Sequence, residues 1–150
     1  MIALNTIESF LAPKELAFCG ASRNPKKFGR VVYETLKEKG FKLYPVHPFT
    51  DEIAGDPCVK DISELPDEVK RLYIVTGKDQ TTGIVEQAAR KGIREIWIQQ
   101  TSDTPESIEI AEKNDITLIH KQCIMKFAEP VNGIHKFHRS ISKLFGKYPR

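Results

Sequence analysis

The sequence predicts an α/β fold of the doubly wound, Rossmann-like type, with a parallel sheet of about five strands and helices on both faces. Short, continuously apolar runs, which are typical of buried parallel strands, alternate along the chain with amphipathic runs of helical period. Glycine or proline separates most of these runs. Each strand is therefore expected to join a later parallel strand through a right-handed helical crossover.

The composition is that of a globular domain. The 150 residues are 40% hydrophobic and 29% charged, and a chain of this length buries enough surface to need no metal or disulfide. Its apolar runs are too short to cross a bilayer, its N-terminus lacks the pattern of a secretion signal, and its three cysteines are far apart. We expect a cytoplasmic protein without a metal site.

The C-terminal segment differs from the rest of the chain. The net charge is +3, yet residues 131–150 contain five basic residues and no acidic ones. Apolar residues at helical spacing predict a basic amphipathic helix here, packed on the domain of residues 1–130, on a second copy, or on another protein. Because residues 1–130 carry a slight excess of acidic residues, a nucleic-acid partner is not expected, and membrane contact is the less favoured alternative.

The predicted elements follow the chain in a regular order. A first helix is expected to begin at Asn5, with Glu8 in the position of a capping box. Strands are predicted over residues 16–19, 42–46, 71–75, 95–98 and 117–119, and helices over residues 29–40, 79–92 and 104–114. After the second of these strands we expect a loop over residues 49–57, a short edge strand at Cys58 and Val59, and one helical turn over residues 63–65.

The loop after the first strand is predicted to bind phosphate. Gly20 ends the strand and Gly29 begins the helix, so the amides of the first helical turn are expected to point into the crevice. Between them Ser22 offers a hydroxyl group. The cations of the loop and the first turn are Arg23, Lys26, Lys27 and Arg30. Arginine and lysine together suit a ligand that carries several phosphates.

A dinucleotide is the first ligand to consider for such a loop. Its fingerprint is Gly-x-Gly-x-x-Gly, and here the second and third glycine positions hold Ser22 and Pro25. A nicotinamide cofactor also needs a carboxylate near the end of the second strand, where this chain has His47. Both differences argue against a dinucleotide-dependent oxidoreductase, which we keep as an alternative.

Four motifs in this order and spacing resemble the single-domain CoA-binding proteins. They are Gly20-Ala21-Ser22-Arg23-Asn24-Pro25 with Phe28-Gly29, Tyr44-Pro45-Val46-His47-Pro48, Ile96-Trp97-Ile98-Gln99, and Gln122-Cys123-Ile124-Met125. That family is in turn similar to the N-terminal, CoA-binding domain of the succinyl-CoA synthetase alpha chain. The resemblance extends over about residues 5–130.

The resemblance implies a site for CoA or acyl-CoA. It implies that the first loop holds the phosphates, that the turn after the second strand lies beside the adenosine, and that the loop after residues 95–98 lines the pantetheine arm. The residues that it assigns to the ligand are Gly20, Ala21, Ser22, Arg23, Asn24, Pro25, Lys27, Phe28, Gly29, Val46, His47, Pro48, Thr50, Thr76, Gln99, Gln100, Thr101 and Cys123.

The chain departs from the family pattern at three places. Members often have lysine after Val-Asn-Pro, Phe-Arg-Pro after the middle strand, and Asp-Arg-Cys after the last strand; this chain has instead Val46-His47-Pro48-Phe49, Val75-Thr76-Gly77 and Lys121-Gln122-Cys123. Lys78 and the basic C-terminal segment are candidates to supply the missing cations. For Cys123, thiol exchange with a CoA disulfide and burial as an inert core residue both remain open.

We expect a non-catalytic module that binds CoA or acyl-CoA. No nucleophile, base and carboxylate are grouped by their spacing in the sequence. The resemblance also implies that ligation chemistry needs the phosphohistidine of a second domain. The alternatives are the oxidoreductase, a subunit of an acyl-CoA ligase complex working with an ATP-binding partner, and a protein-interaction module that has lost its ligand.

Overall fold

A five-stranded parallel sheet forms the centre of the computed structural model, which describes residues 2–128. The strands of the chain are β1 (Glu15–Cys19), β2 (Lys42–Val46), β3 (Glu52–Ile53), β4 (Asp56–Pro57), β5 (Arg71–Ile74), β6 (Glu95–Gln99) and β7 (Thr117–Gln122). The order in the sheet is β2-β1-β5-β6-β7, and β3 and β4 form a separate antiparallel hairpin. Because β1 lies between β2 and β5, the strand order reverses there, and the crevice beyond their carboxyl ends is where such sheets bind ligands.

Helices cover both faces of the sheet. They are α1 (Leu4–Leu11), α2 (Phe28–Glu38), α3 (Lys78–Lys91) and α4 (Pro105–Lys113). Leu16 and Phe18 of β1 pack with α1 and α2, whereas Ala17 and Cys19 pack with α3 and α4. Both faces of the central strand are thus buried, as its continuously apolar sequence indicates. The predicted doubly wound α/β class is confirmed.

The predicted cap of the first helix is wrong. The N-cap of α1 is Ala3, which has an extended backbone and makes no side-chain capping bond. The amides of Thr6 and Ile7 both donate to the Ala3 carbonyl, so Asn5 already lies inside the first turn. The expected inward residues of this helix, among them Ile7 and Phe10, are buried.

The segment after β2 is more ordered than the loop predicted for it. The hairpin of β3 and β4 occupies most of residues 49–57. The predicted edge strand is present as a single parallel bridge between Val59 and Val46. The amide of His47 donates to Val59 O at 2.9 Å, and the amide of Val59 donates to Pro45 O at 3.1 Å. A capped 3-10 turn, Ile62–Glu64, follows.

The last described elements close the face covered by α1. Trp97 of β6 donates through Nε1 to the Gln122 carbonyl at 3.0 Å, and a 3-10 turn, Ile124–Lys126, follows β7. No helix within residues 2–128 is long and apolar enough to span a membrane. The helix predicted over residues 131–150 lies outside the described residues, and the domain boundary at residue 130 stays a prediction.

Candidate binding cleft at the switch point

Two neighbouring pockets open at the carboxyl edge of the sheet. The wide pocket, of about 1000 Å³, lies over the ends of β1, β2 and β5. The narrow pocket, of about 350 Å³, lies between the start of α2 and the loop after β6. Val75 and Thr76, directly after β5, line both. The two pockets therefore meet at the switch point of the sheet.

Backbone contacts between two glycines shape the centre of this site. Gly20 follows β1 with φ +113°, and a Cβ atom there would collide with the carbonyl oxygen of Val75. Gly29 lies in the first turn of α2, where a Cβ atom would collide with the carbonyl oxygen of Gly20. The backbone segments can come this close only because both positions are glycine, which has no Cβ atom. The start of α2 is thereby held against the ends of β1 and β5.

The loop between these glycines is ordered by its own polar groups. Ser22 Oγ accepts from the Asn24 amide at 3.0 Å, and Asn24 Oδ1 accepts from the Lys26 amide at 3.0 Å. Such turns fix the loop without burying it. Asn24 is therefore a turn-forming residue, whatever further contact it makes.

Arg30, one of the cations predicted to face phosphate, also supports the loop. Its Nη1 group donates to the carbonyls of Ser22 and Arg23, each at 3.3 Å. Its Nε atom lies 3.2 Å from a carboxylate oxygen of Glu34, one turn further along α2. Nε makes no hydrogen bond, so it is the two bonds from Nη1 that join Arg30 to the backbone of the loop.

The starts of two helices flank the pockets without side-chain caps. Neither Lys27, the N-cap of α2, nor Gly77, the N-cap of α3, makes a side-chain capping bond. By contrast, Thr104 caps α4 in a capping box with Ser107. The first-turn amides of α2 are thus available to an anion, which the positive end of the helix dipole also attracts. At the start of α3 the Gln80 amide donates to the Gly77 carbonyl at 3.0 Å, and the acidic Asp79 lies in the first turn.

The β2 side of the wide pocket is a rim of exposed side chains. Phe49 is 78% exposed, and its ring lies edge-on to that of His47 at a centroid distance of 6.2 Å. The Phe49 amide donates to His47 Nδ1 at 3.0 Å. Lys60 lines the same wall and donates through Nζ to Thr50 O at 2.8 Å and to Asp51 Oδ1 at 2.9 Å.

Two cations of this rim act on the His47 ring. Partial burial lowers the pKa of His47, and the positive charges of Arg23 and Lys60 lower it further. His47 is therefore neutral near pH 7. A negatively charged ligand group near His47 would offset the positive charges of Arg23 and Lys60 and so raise the pKa of the ring.

The narrow pocket combines an apolar side with polar residues. Phe28, at the start of α2, is 49% exposed and faces the loop of Gln100, Thr101 and Ser102. Thr101 has a left-handed backbone, with φ +73°. Such a pocket fits an extended arm with amide groups, because it offers both contact area and hydrogen-bonding groups.

Gln99 reaches the narrow pocket but directs its side chain into the core. Gln99 is 3% exposed, and its Oε1 atom accepts from the Tyr73 hydroxyl at 2.8 Å and from the Ile124 amide at 3.2 Å. The side chain therefore ties β6 to β5 and to the turn after β7.

Most of the predicted ligand residues come together in these pockets. The wide pocket contains Gly20, Ala21, Ser22, Lys27, Val46, His47, Pro48 and Thr76, and the narrow pocket contains Phe28, Gly29, Thr76, Gln99, Gln100 and Thr101. The predicted residues that do not line either wall are Arg23, Asn24, Pro25, Thr50 and Cys123. Cys123 is 6% exposed and belongs to the core. Their roles toward a ligand stay predictions.

The pocket walls include residues that sequence reasoning missed. Lys60, Asp61 and Ile62 arrive from the segment after the Val46–Val59 bridge, and α3 contributes Asp79, Gln80, Gly83, Ile84 and Gln87. The edge strand predicted at Cys58 and Val59 could have indicated Lys60, Asp61 and Ile62. A strand that runs parallel to β2 ends at the same edge of the sheet, so the residues that follow it lie at the pocket. Lys78, the predicted replacement cation, is exposed and lines neither wall.

A cysteine forms part of the floor of the wide pocket. Cys19 ends β1 and is 3% exposed. Burial raises the pKa of its thiol to about 12, with a smaller contribution from the negative charge of Asp61. The thiol therefore stays protonated at neutral pH. Within residues 2–128 there is no group of three or more His, Cys, Asp or Glu residues able to hold a metal ion.

Comparison with known proteins identifies the family of this fold. Residues 14–129 match the family model described as the CoA binding domain. The chain belongs to this CoA-binding domain family. The alpha subunit of acetate–CoA ligase (ADP-forming) II of Pyrococcus furiosus is 29% identical over 93% of this chain, and the chain covers 31% of that subunit. The CoA-binding domain thus spans about a third of the length of this relative.

Solved structures contain this fold both as nearly a whole chain and as part of larger proteins. A conserved hypothetical protein from Pyrococcus furiosus is 31% identical with a TM-score of 0.71, covering 73% of this chain and 95% of that chain. The dinucleotide-forming acetyl-coenzyme A synthetase 1 of Ca. Korarchaeum cryptofilum, in complex with phosphate and ADP, is 25% identical with a TM-score of 0.67, covering 77% of this chain and 27% of that chain. The predicted CoA-binding, synthetase-like family is confirmed.

Proposed function

We propose that this CoA-binding domain holds CoA or an acyl-CoA across both pockets and carries out no chemistry of its own. The observation that carries the proposal is the pair of pockets of unequal size that meet at Val75 and Thr76. CoA has a bulky nucleotide at one end and a thin arm at the other. The wide pocket suits the nucleotide, the narrow pocket suits the arm, and the diphosphate that links them lies at the junction.

The junction has the chemistry that a diphosphate needs. The starts of α2 and α3 flank it without side-chain caps, and Ser22 and Lys27 add a hydroxyl group and a cation. The Gly20–Gly29 contact lets a phosphate approach the backbone closely, because no Cβ atom stands in the way.

The absence of chemistry is supported by the groups that line the pockets. His47 is neutral, and its Nδ1 atom is engaged by the Phe49 amide. The Cys19 thiol is protonated because its pKa is about 12. His120 and Asp103, whose nearest side-chain atoms are 3.5 Å apart, lie outside both pockets. None of these groups is arranged to attack a thioester.

A second candidate function is that of one part of an acyl-CoA ligase. The observation in its favour is that the chain corresponds to 31% of the Pyrococcus furiosus alpha subunit. In that case the domain presents the CoA thiol to a partner that carries the catalytic residues. The binding site proposed above is the same for both functions.

Isothermal titration calorimetry of the full chain with CoA, dephospho-CoA, acetyl-CoA and NAD tests the proposal. We expect CoA and acetyl-CoA to bind and NAD to bind weakly. Ligand at a hundred times its dissociation constant adds about 2.7 kcal/mol to the free energy of unfolding, which thermal unfolding detects. A folded, ligand-free chain that gives neither heat nor a thermal shift with any CoA species would contradict the proposal.

The non-catalytic part of the proposal needs a separate assay. The chain is incubated with acetyl-CoA, and in a second reaction with ATP, acetate and CoA, while free thiol and ADP are measured. We expect no thiol release and no ADP. Formation of ADP by the chain alone would contradict the binding-module proposal, whereas ADP formed only after addition of a partner subunit would favour the ligase candidate.

A further inference from the structure

We propose that Lys60 binds the 3′-phosphate of CoA and thereby makes the site prefer CoA to dephospho-CoA. This inference rests on the function proposed above and assigns a specificity residue to it. The β2 end of the wide pocket is formed by residues 46–49, which contain no lysine or arginine. Lys60 supplies a positive charge to the wall at this end.

The backbone brings Lys60 to this position. Val59 pairs with Val46 at the end of β2 in a parallel bridge, held by bonds of 2.9 Å and 3.1 Å between the two backbones. Since parallel strands end at the same edge of a sheet, the residue after Val59 lies beside the residues after Val46. Lys60 thus lies at the ligand edge although it follows His47 by thirteen positions.

Hydrogen bonds hold the ammonium group of Lys60 at the rim. Nζ donates to the Thr50 carbonyl at 2.8 Å and to Asp51 Oδ1 at 2.9 Å. A lysine ammonium has three donors, so one donor remains for a ligand. Asp51 is almost fully exposed, at 97% of its side-chain area, and a phosphate with two charges competes effectively with such a partner.

Charges of both signs surround Lys60, and Glu64, whose Oε2 atom accepts from the amides of Lys60 and Asp61 at 2.8 Å and 3.1 Å, is engaged with the backbone. Lys60 and Arg23 act together on His47, whose pKa they lower. Asp61 also lines the pocket, but its Oδ1 atom accepts from the Ser63 amide at 2.8 Å and caps the 3-10 turn. A phosphate therefore finds its binding partners at Lys60 rather than beside Asp61.

The 3′-phosphate reaches this end when the adenosine lies over β2. From the Gly20–Gly29 junction, the ligand extends toward β6 through the narrow pocket and toward β2 through the wide pocket. The wide pocket has about three times the volume of the narrow one, and the exposed Phe49 ring there offers a surface for the base. The ribose then lies between Phe49 and the junction, with its 3′-phosphate near Lys60.

The test compares Lys60→Met with Lys70→Met by titration calorimetry with CoA and dephospho-CoA. Lys70 directly precedes β5 and so lies at the amino end of the strands, whereas the pockets lie at the carboxyl end. Its replacement removes the same charge as Lys60→Met. For Lys60→Met we expect CoA binding to weaken by about tenfold or more and dephospho-CoA binding to change less than about twofold. Lys70→Met should leave both affinities unchanged, and Lys60→Arg should retain the preference for CoA.

A further variant separates ligand binding from loop support. Asp51→Asn removes the ion pair of Lys60 but keeps its ammonium group, so we expect CoA affinity to be retained or increased. If Lys60 serves only to hold residues 50 and 51, Lys60→Met and Asp51→Asn will weaken CoA and dephospho-CoA equally, and this outcome overturns the inference. Equal affinity of the original chain for both ligands overturns it while the proposed function stands, whereas binding of neither contradicts the proposed function itself.

Discussion

The binding cleft has a centre built from backbone and a rim built from side chains. At the centre, the carbonyl oxygens of Val75 and Gly20 occupy the space that Cβ atoms at Gly20 and Gly29 would need. At the rim, His47, Phe49 and Lys60 are partly or largely exposed and are positioned by a few hydrogen bonds and one short bridge. The centre tolerates no side chain, while the rim can exchange one side chain for another.

This difference separates two properties of the site. In the proposed complex, the centre decides whether a phosphate group can approach the backbone, through packing that also supports the fold. In the same proposal, the rim decides which nucleotide is preferred, through charge and surface that contribute little to stability. Variants at the centre should therefore affect stability and all ligands together, and variants at the rim should affect the choice among ligands.

Gly29→Ala is expected to have the largest effect. The new Cβ atom would collide with the Gly20 carbonyl in a buried position, so α2 must shift, at a cost of about 2–3 kcal/mol in the free energy of unfolding. CoA and dephospho-CoA should both lose binding. Urea denaturation and titration calorimetry measure the two effects.

Gly83→Ala is the control for Gly29→Ala with respect to stability. A Cβ atom at Gly83 in α3 meets nothing within 4 Å, so the better helix propensity of alanine should add about 0.5–1 kcal/mol to the free energy of unfolding. If Gly29→Ala unfolds at the same urea concentration as the original chain, the glycine contact does not shape the site as described here.

Arg30→Met should weaken binding without changing ligand preference. It removes the bonds from Nη1 to the carbonyls of Ser22 and Arg23, so the loop must be ordered by the ligand and affinity falls by about tenfold. CoA and dephospho-CoA should be affected equally, which titration calorimetry measures. A loss confined to CoA would instead make Arg30 a direct partner of the 3′-phosphate.

The smallest expected effect is a dependence of CoA affinity on pH through His47. In the free chain, burial and the charges of Arg23 and Lys60 hold its pKa below the usual value. A bound phosphate favours the protonated ring and raises that pKa, so binding takes up a proton. Affinity should fall by a few-fold as pH rises from the free-state pKa to the bound-state pKa.

NMR titration of the His47 ring, with and without CoA, measures both pKa values. His47→Gln should remove the pH dependence and also identifies the His47 signal among those of the four histidines. Equal pKa values in the two states would show that no ligand charge lies close to this ring. That result would leave His47 without an electrostatic role at the rim.

The fold could be predicted from the sequence where its physical causes are local. The apolar run of β1, the period of α2 and the left-handed Gly92 that ends α3 are such features. The hairpin of β3 and β4 could not be predicted, because strands of two residues show no period. The cap at Ala3 was missed for a related reason, since that residue makes no side-chain bond that its identity would reveal.

The site could be predicted only in part. The loop from Gly20 to Gly29 is contiguous in the chain, and its motif indicated its position. The direction of the Gln99 side chain depends on Tyr73 and Ile124, which lie far from it in sequence. The position of Lys60 depends on a bridge to β2. Such contacts between distant segments are not visible in one sequence.

The bridge at Val59 also protects the sheet from aggregation. β2 is an edge strand of the sheet, and unpaired backbone groups on such an edge can recruit a strand from another molecule. Val59 occupies the outer backbone groups of Pro45 and His47, and Pro45 itself has no amide hydrogen to offer. The segment that carries Lys60 to the cleft thus also blocks edge-to-edge association, so its removal would lower solubility as well as ligand preference.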